Sequence, residues 1–469
     1  MKTADYLSLL QNGLPRTERP KKILIVGAGM AGLCAAYELL RAGHDPLVLE
    51  GKSRVGGRIE TVREPFEEGL YAEAGAMRIP AAHTLTMHYV NHFGLGTSPF
   101  TMGNREAYYY LCGQRYRGHD VYADPGCLGY EVAEQERGKT AAQLWNDALG
   151  PILALLNEKG EDAWPEIIGE YDHYSTREFL EESGWSEGAI EMFGLLENQE
   201  SRMNASFVEL LLADVGGVFK NMVQLDGGMD HLPRAFLPTL KDRIRFGANV
   251  VALDQSDSGV TVHYQTPAGR TSVTGDYAIL TVPFSVLRHV EVLQPFSRPK
   301  QRAIRQLRYD ASAKIFMQCR RRFWEEDDGI VGGGTITDLA IRNLYYPEHG
   351  RETGRGVLLA SYTWSEDAQR WGSLAPSERY AQALENVAHI HPQIADEYEA
   401  GASKMWHDDP FACGAFALFD PGQTTLLHEA IIAPEGRIHF AGEHASLTHR
   451  WIQGSIESAL RAAKEIHER

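Results

Sequence analysis

Residues 22–58, KILIVGAGMAGLCAAYELLRAGHDPLVLEGKSRVGGR, carry the chemistry that is easiest to read in this chain. In Gly27-Ala28-Gly29-Met30-Ala31-Gly32 the first glycine makes a tight turn, the second lets a pyrophosphate approach the backbone, and the third lets a helix pack closely on a strand. Met30 and Ala31 lie where that helix begins, and a helix start offers free N–H groups and a positive dipole end to phosphates. Glu50 follows about 20 residues on, where a carboxylate can accept hydrogen bonds from both hydroxyls of an adenosine ribose. A ribose phosphate would be repelled there, so NADP is disfavoured.

A glycine turn of this kind is common by itself, and an ordinary loop would look the same. Here Lys22–Val26 predicts a buried strand before it, Leu33–Ala42 a helix after it, and Asp45–Glu50 a second strand, which together make one βαβ unit. Gly56-Gly57-Arg58 comes directly after the ribose acid, and an NAD dehydrogenase would not need it.

Composition sets outer limits. The 469 residues are 43% hydrophobic and 23% charged, enough for two or three globular domains. A formal charge of −17 argues against nucleic acid or an anionic membrane as a partner. The cysteines Cys34, Cys112, Cys127, Cys319 and Cys413 are scattered, odd in number and free of CxxC spacing, so they read as reduced thiols of a cytoplasmic protein. No paired Cys or His at short spacing suggests a metal. The first 22 residues lack the apolar core of a signal peptide, and no run of eighteen or more apolar residues predicts a membrane span.

Farther along, Gly69–Pro80 is too rich in glycine and alanine for a solid helix, and such small residues let backbone approach something flat. From about Thr140 to Phe219 the pattern turns helical, with apolar residues at three- and four-residue spacing in Ala142–Leu156 and an N-capped start at Ser175. Strand patterns return at Ile244–Leu253, Val260–Gln265, Thr271–Val273 and Tyr277–Val282, then at Lys314–Cys319 and Gly356–Thr363. Ser377–Ile390 reads as a helix. A last strand at Arg437–Glu443 leads to a helix from Ile452, with Ile456, Ala459, Leu460, Ala463 and Ile466 on one face.

Taken together, GAGMAG, Glu50, GGR, AGAMRIP, GGMDHLP, AKIFM, SYTWSEDA, GAFALFDPGQ and AGEHA with WIQGSI resemble the flavin amine oxidase family, and within it the L-amino acid oxidase branch. The resemblance implies an α/β fold: a discontinuous Rossmann-like FAD-binding domain, an α+β substrate-binding domain and an inserted helical domain. We expect residues 20–60, 222–306 and 430–469 in the first, 1–19, 61–117 and 307–429 in the second, and 118–221 in the third.

It also implies the site. The FAD contacts would be Gly27, Gly29, Met30, Ala31, Gly32, Glu50, Gly57, Arg58, Ala76, Met77, Arg78, Val250, Gly442, Glu443, Trp451 and Ile452, with Arg58 facing the pyrophosphate. Arg78 and Tyr362 would clamp a substrate carboxylate, a task suited to a guanidinium fork. Trp451 and Phe416 would shape the pocket, and the helix from Ile452 would point its dipole at the flavin. Lys314 would hold a water near flavin N5 and assist reaction with oxygen or imine hydrolysis. By spacing alone, Arg78 could equally cap a loop, Tyr362 and Trp451 could be packing, and Lys314 could be a surface residue on an edge strand.

Two departures from the family pattern stand out. Ala415 occupies the position where monoamine oxidases attach FAD through cysteine, so FAD should be noncovalent. Arg450 replaces a small residue before Trp451 and could narrow the pocket or favour acidic side chains. The expected activity is oxidative deamination of L-amino acids, with O2 as the second substrate and a homodimer or higher homo-oligomer as the assembly. The alternatives are a related amine oxidase, a tryptophan monooxygenase, or a non-enzymatic binder on the same fold.

Overall fold

The computed structural model describes residues 3–215 and 218–469. A five-stranded parallel sheet runs Ile244–Arg245, Asp45–Leu49, Lys22–Val26, Tyr277–Leu280, Ile438–Phe440. Its central strand is an unbroken apolar run, as a strand covered on both faces requires. Three distant parts of the chain therefore supply one parallel layer.

The first crossover helix is Met30–Arg41, which starts three residues before the Leu33 expected from sequence. Gly29 is its N-cap in extended conformation (φ −72°, ψ 179°), so the glycine loop already contains the first turn of the helix. Gly32 explains the closeness: a Cβ there would lie 2.0 Å from the Gly27 carbonyl oxygen. The C-terminal helix Ile452–His467 packs against Met30–Arg41, with Ile456, Ala459, Leu460, Ala463 and Ile466 all fully buried.

One expected strand proves to be two. Ile244–Leu253 breaks at Phe246–Ala248: Ile244–Arg245 completes the parallel sheet, whereas Asn249–Gln255 enters a separate four-stranded sheet beside Val260–Thr266. The turn is made at Gly247, where φ is +63°, a conformation that costs glycine little.

A second layer is a seven-stranded mixed sheet ordered Tyr398–Met405, Ser312–Cys319, Gly356–Trp364, Asn343–Tyr345, Gly334–Thr337, Tyr108–Leu111, Gln114–Arg117. Alternation sorts the faces of Ser312–Cys319: Ile315, Met317 and Cys319 enter one core and Phe316 another. Opposite them, Gly356–Trp364 carries a bulge. Phe316 pairs with Leu359 but Ile315 pairs with Ser361, leaving Ala360 extra and setting Tyr362 directly across from Lys314.

The stretch from Thr140 onward forms short helices around one apolar cluster that includes Trp145, Phe179, Phe193 and Phe207. Ser175 caps the helix Thr176–Glu182 in a reciprocal box with Glu178. Among the described residues no helix is long and apolar enough to cross a membrane.

Candidate active site

A cavity of about 640 Å³ runs from the C-terminal edge of the parallel sheet to the face of the mixed sheet. At one end it is lined by Gly27, Gly29, Met30, Ala31, Glu50, Gly57 and Val250, at the other by Arg78, Lys314, Tyr362, Phe416 and Trp451. Arg58, Ala76, Met77, Gly442, Glu443 and Ile452 lie between. Every site residue expected from sequence therefore reaches this space except Gly32, which works from behind by letting helix and loop touch.

The nucleotide end is built from backbone. The Gly56 N–H donates to the Ala28 carbonyl (2.9 Å), which joins the GGR turn to the first glycine turn. Arg54 staples that turn from outside by donating to the Val55, Gly57 and Ile59 carbonyls. Glu50 is buried, and its carboxylate accepts from the Ala28 N–H (2.6 Å) and the Lys52 N–H (2.8 Å). With two further lone pairs it can still receive a ribose diol. A Cβ at Gly29 would meet nothing within 4 Å, so the room that glycine leaves there is open cavity, where a pyrophosphate has access to the helix N-terminus. This cradle fits a dinucleotide such as FAD.

Arg58 does more than line the cavity. Its guanidinium donates to the Glu443 carboxylate and to the Ala415 carbonyl, both at 2.9 Å. Glu443 also accepts from the Ala417 and Arg450 N–H groups. Burial opposes the charge on Glu443, but Arg58 and the neighbouring donors outweigh it and hold the acid down to about pH 2. Arg58 and Glu443, both expected among the FAD contacts, are thus one ion pair between the two ends of the cavity.

At the opposite end, Arg78 lies between two aromatic rings, its guanidinium carbon 5.4 Å from the Phe100 centroid and 5.7 Å from Tyr345. One terminal nitrogen, Nη1, is buried and has no hydrogen-bond partner in the protein. Lys314 is almost wholly buried and donates to the Glu73 carbonyl (2.9 Å) and the Gly75 carbonyl (2.7 Å), with its ammonium 4.6 Å above the Tyr362 ring. Burial lowers its pKa to about 7, opposed by Glu73 and reinforced by Arg78. Burial also raises the Tyr362 hydroxyl, so it stays a neutral donor, although Arg78 pulls the other way.

Trp451 is the N-cap residue of the C-terminal helix and meets His83 edge to face at 5.1 Å. Gln453, in the first turn, accepts from the Leu85 and Thr86 N–H groups, which ties this helix to Thr84–His92. Phe416 begins a strand pair with Asp310 and lies under the Arg450 guanidinium (5.7 Å). Arg450 itself adopts φ +69°, donates to the Glu209 carbonyl (2.9 Å) and approaches the Glu209 carboxylate (4.0 Å). Its charge is directed at the helical segment, which weakens the expectation that it attracts an acidic substrate side chain.

Several lining residues went unread in the sequence, among them Trp364, Arg202 and Tyr345. Trp364 packs on Tyr362 at 4.1 Å between centroids, and strand periodicity places it on the same face two residues later. Arg202 lies 5.0 Å from the Trp364 ring, and Tyr345 stacks near Arg78. Both come from segments without a recognisable local pattern. Cys413, by contrast, donates its thiol to the Pro410 carbonyl and does not line the cavity, whereas Ala415 does.

Comparison with known proteins agrees with this geometry. Residues 30–467 match the family of flavin containing amine oxidoreductases. The YobN protein of Bacillus subtilis is 42% identical over 472 residues, covering 99% of this chain and 98% of its own. The L-amino-acid oxidase of Vipera ammodytes ammodytes is 38% identical over 470 residues, covering 99% and 96%. Among solved structures, a triple mutant of putrescine oxidase superposes with a TM-score of 0.79 at 21% identity over 96% of this chain and 99% of its own. Cyclohexylamine oxidase from Brevibacterium oxydans gives 0.76 at 19%, again over 96% and 99%, and at that identity the likeness speaks to fold. A family match over residues 30–467, with relatives 42% and 38% identical along 99% of the chain, places this protein in the flavin-containing amine oxidoreductase family.

Proposed function

We propose that this chain is an FAD-dependent oxidase that deaminates L-amino acids. The observation that carries the reading is the buried Nη1 of Arg78, unpaired within the protein at the end of the cavity away from the nucleotide cradle. A buried guanidinium left without an acceptor is costly, and a substrate carboxylate supplies the acceptor. An amine without a carboxylate would not.

Bound FAD would supply the acceptor for the Cα hydride and pass its electrons to O2, giving hydrogen peroxide and an imine that hydrolyses to a 2-oxo acid and ammonia. The protein's share is positioning. Arg78 fixes the carboxylate through its fork, Tyr362 adds a hydroxyl donor, and Trp451 and Phe416 narrow the space so that Cα–H faces the flavin. Lys314 has donated two of its three hydrogens to carbonyls, which leaves one for a water at the flavin edge. The positive end of the Ile452–His467 helix favours negative charge on the reduced cofactor. Placement of Ala415 in the cavity and Cys413 outside it supports noncovalent FAD. We further propose a homodimer or higher homo-oligomer, which light scattering on the purified protein tests.

The deciding experiment measures peroxide from the purified yellow protein with a panel of L-amino acids, their D-forms and the matching decarboxylated amines. We expect turnover of L-amino acids alone. Turnover of amines with none of L-amino acids would sink the assignment of Arg78.

A further inference from the structure

The segment that delivers Trp451 to the cavity is bent against the preference of its own backbone. Arg450, directly before it, has φ +69°, a left-handed conformation that a residue with a side chain seldom adopts unless its surroundings impose it. Trp451 then returns to extended backbone (φ −113°, ψ 151°) and caps the helix Ile452–His467. Its ring lines the cavity and meets His83 at 5.1 Å and Phe219 at 6.0 Å between centroids. A bend of this kind persists only where its partners outweigh the strain.

Those partners come from three places. Upstream, Glu457 of the last helix accepts from the Ser446 hydroxyl (2.5 Å) and the Thr448 hydroxyl (3.1 Å), and the Thr448 carbonyl lies where a Cβ at Gly454 would come within 2.1 Å of it. At the bend, Glu443 accepts the Arg450 N–H (3.1 Å). The third is Glu209, buried in the helix Phe207–Asp214. Its carboxylate accepts from Nδ1 of the buried His449 (3.0 and 3.2 Å) and lies 4.0 Å from the Arg450 Nε, while its carbonyl accepts from the Arg450 guanidinium (2.9 Å). One residue thus grasps two neighbours in the chain, where water does not compete for either.

We propose that Glu209 is a positioning residue for the reaction: by gripping His449 and Arg450 together it holds the left-handed bend that sets Trp451 as a wall of the substrate site. Glu209 itself does not line the cavity, so it acts through Trp451 and not on the substrate. Without the grip, Arg450 relaxes toward the backbone conformations open to it, and the next residue, Trp451, moves with it. A substrate held by the carboxylate clamp alone then binds more loosely, which costs KM before it costs kcat.

The test uses the full-length, flavin-loaded protein with Glu209→Ala, Glu209→Asp and Glu209→Gln, each alone and combined with Arg450→Gly. Glycine adopts positive φ at little cost, so in that background the bend no longer needs the grip. Steady-state peroxide kinetics with an L-amino acid should show KM about tenfold higher in Glu209→Ala, with kcat within about threefold. Glu209→Asp, whose shorter arm falls short of His449, should raise KM roughly threefold, and Glu209→Gln, which keeps an acceptor for the ring, less than about twofold. Measured against Arg450→Gly itself, adding Glu209→Ala should raise KM by no more than about twofold. Hydrogen exchange followed by mass spectrometry gives a readout without turnover. The peptide spanning 446–452 should exchange at least about tenfold faster in Glu209→Ala, while the Lys22–Val26 strand keeps its rate.

An equal rise in KM in both backgrounds would mean that Glu209 acts only through general stability and would overturn the proposal, as would exchange of 446–452 left unchanged by Glu209→Ala. Should Glu209→Ala not accumulate as folded protein, Glu209→Asp in the two backgrounds carries the same comparison. The inference rests on the proposed reaction, in which Trp451 walls the substrate site. If the unaltered protein turns over no L-amino acid, that reading falls and the proposal with it; if it does turn them over and KM stays put in Glu209→Ala, Glu209 alone is wrong.

Discussion

The two ends of the cavity are built in opposite ways. The nucleotide end is made mostly of backbone: glycine turns, a helix start and carbonyls stapled by Arg54, with Glu50 beside them, within one stretch of the chain apart from Val250 and the Arg58–Glu443 pair. The opposite end, which we propose binds substrate, is made of side chains delivered by segments far apart: Lys314 and Tyr362 from the mixed sheet, Phe416 from a two-stranded pair, Arg78 from just before Ile79–Pro80 and Trp451 from the start of the last helix. A cofactor common to a family can be held by groups every residue owns. A particular substrate needs functional groups, and these must be fixed by packing.

This contrast predicts different failures at the two ends. The largest effect on stability belongs to Gly32→Ala, whose Cβ would press on the Gly27 carbonyl at 2.0 Å. We expect a loss of roughly 3 kcal/mol in stability and a colourless protein, read by thermal melting and the flavin-to-protein absorbance ratio. Gly29→Ala has open space instead and should fold normally while binding flavin poorly. If both variants keep full flavin, the backbone account of the cradle is wrong.

Arg78→Met should retain its flavin yet lose about a thousandfold in kcat/KM for L-amino acids, or roughly 4 kcal/mol of transition-state binding. Steady-state peroxide kinetics with a flavin spectrum on the same sample separate the two ends. Next comes Glu443→Gln, at the junction between them. Its folded pKa is depressed, so its ion pair contributes above the ordinary carboxylate range and is lost as pH falls from about 4.5 toward 2. Removing it should cost about 2 kcal/mol at neutral pH, less than a fully buried pair because Arg58 is partly solvated, and should flatten the acid limb of a melting-temperature profile. The smallest change is Tyr362→Phe, which removes one hydroxyl donor and should raise KM about tenfold with kcat nearly kept. A larger loss in kcat than in KM would show that the hydroxyl acts on the reaction and not on the carboxylate.

The same contrast governs what could be read before the fold was known. The nucleotide end lies in consecutive residues, so turn chemistry and strand periodicity spelled it out from Lys22 to Arg58. Arg78, Lys314 and Tyr362 were found through their flanking motifs. Trp364 was within reach of a period-two argument from Tyr362, but Arg202 and Tyr345 had no local signal, since only the folded chain brings them to the cavity. The break at Phe246–Ala248 carried one local signal, Gly247, and periodicity cannot see a strand change sheets. Arg450 turning to Glu209, and Arg58 pairing with Glu443, depend on partners hundreds of residues away and on rotamers that sequence does not specify.

The extra Ala360 in Gly356–Trp364 has a consequence for how this strand can change over generations. Because Ser361 already pairs with Ile315 and Leu359 with Phe316, removing Ala360 would flatten the strand without altering any pairing on either side. Removing Ser361 instead would let Ala360 take its place opposite Ile315 and would likewise leave Tyr362 across from Lys314. An alignment of descendants and cousins should therefore show a one-residue gap tolerated at Ala360 or Ser361.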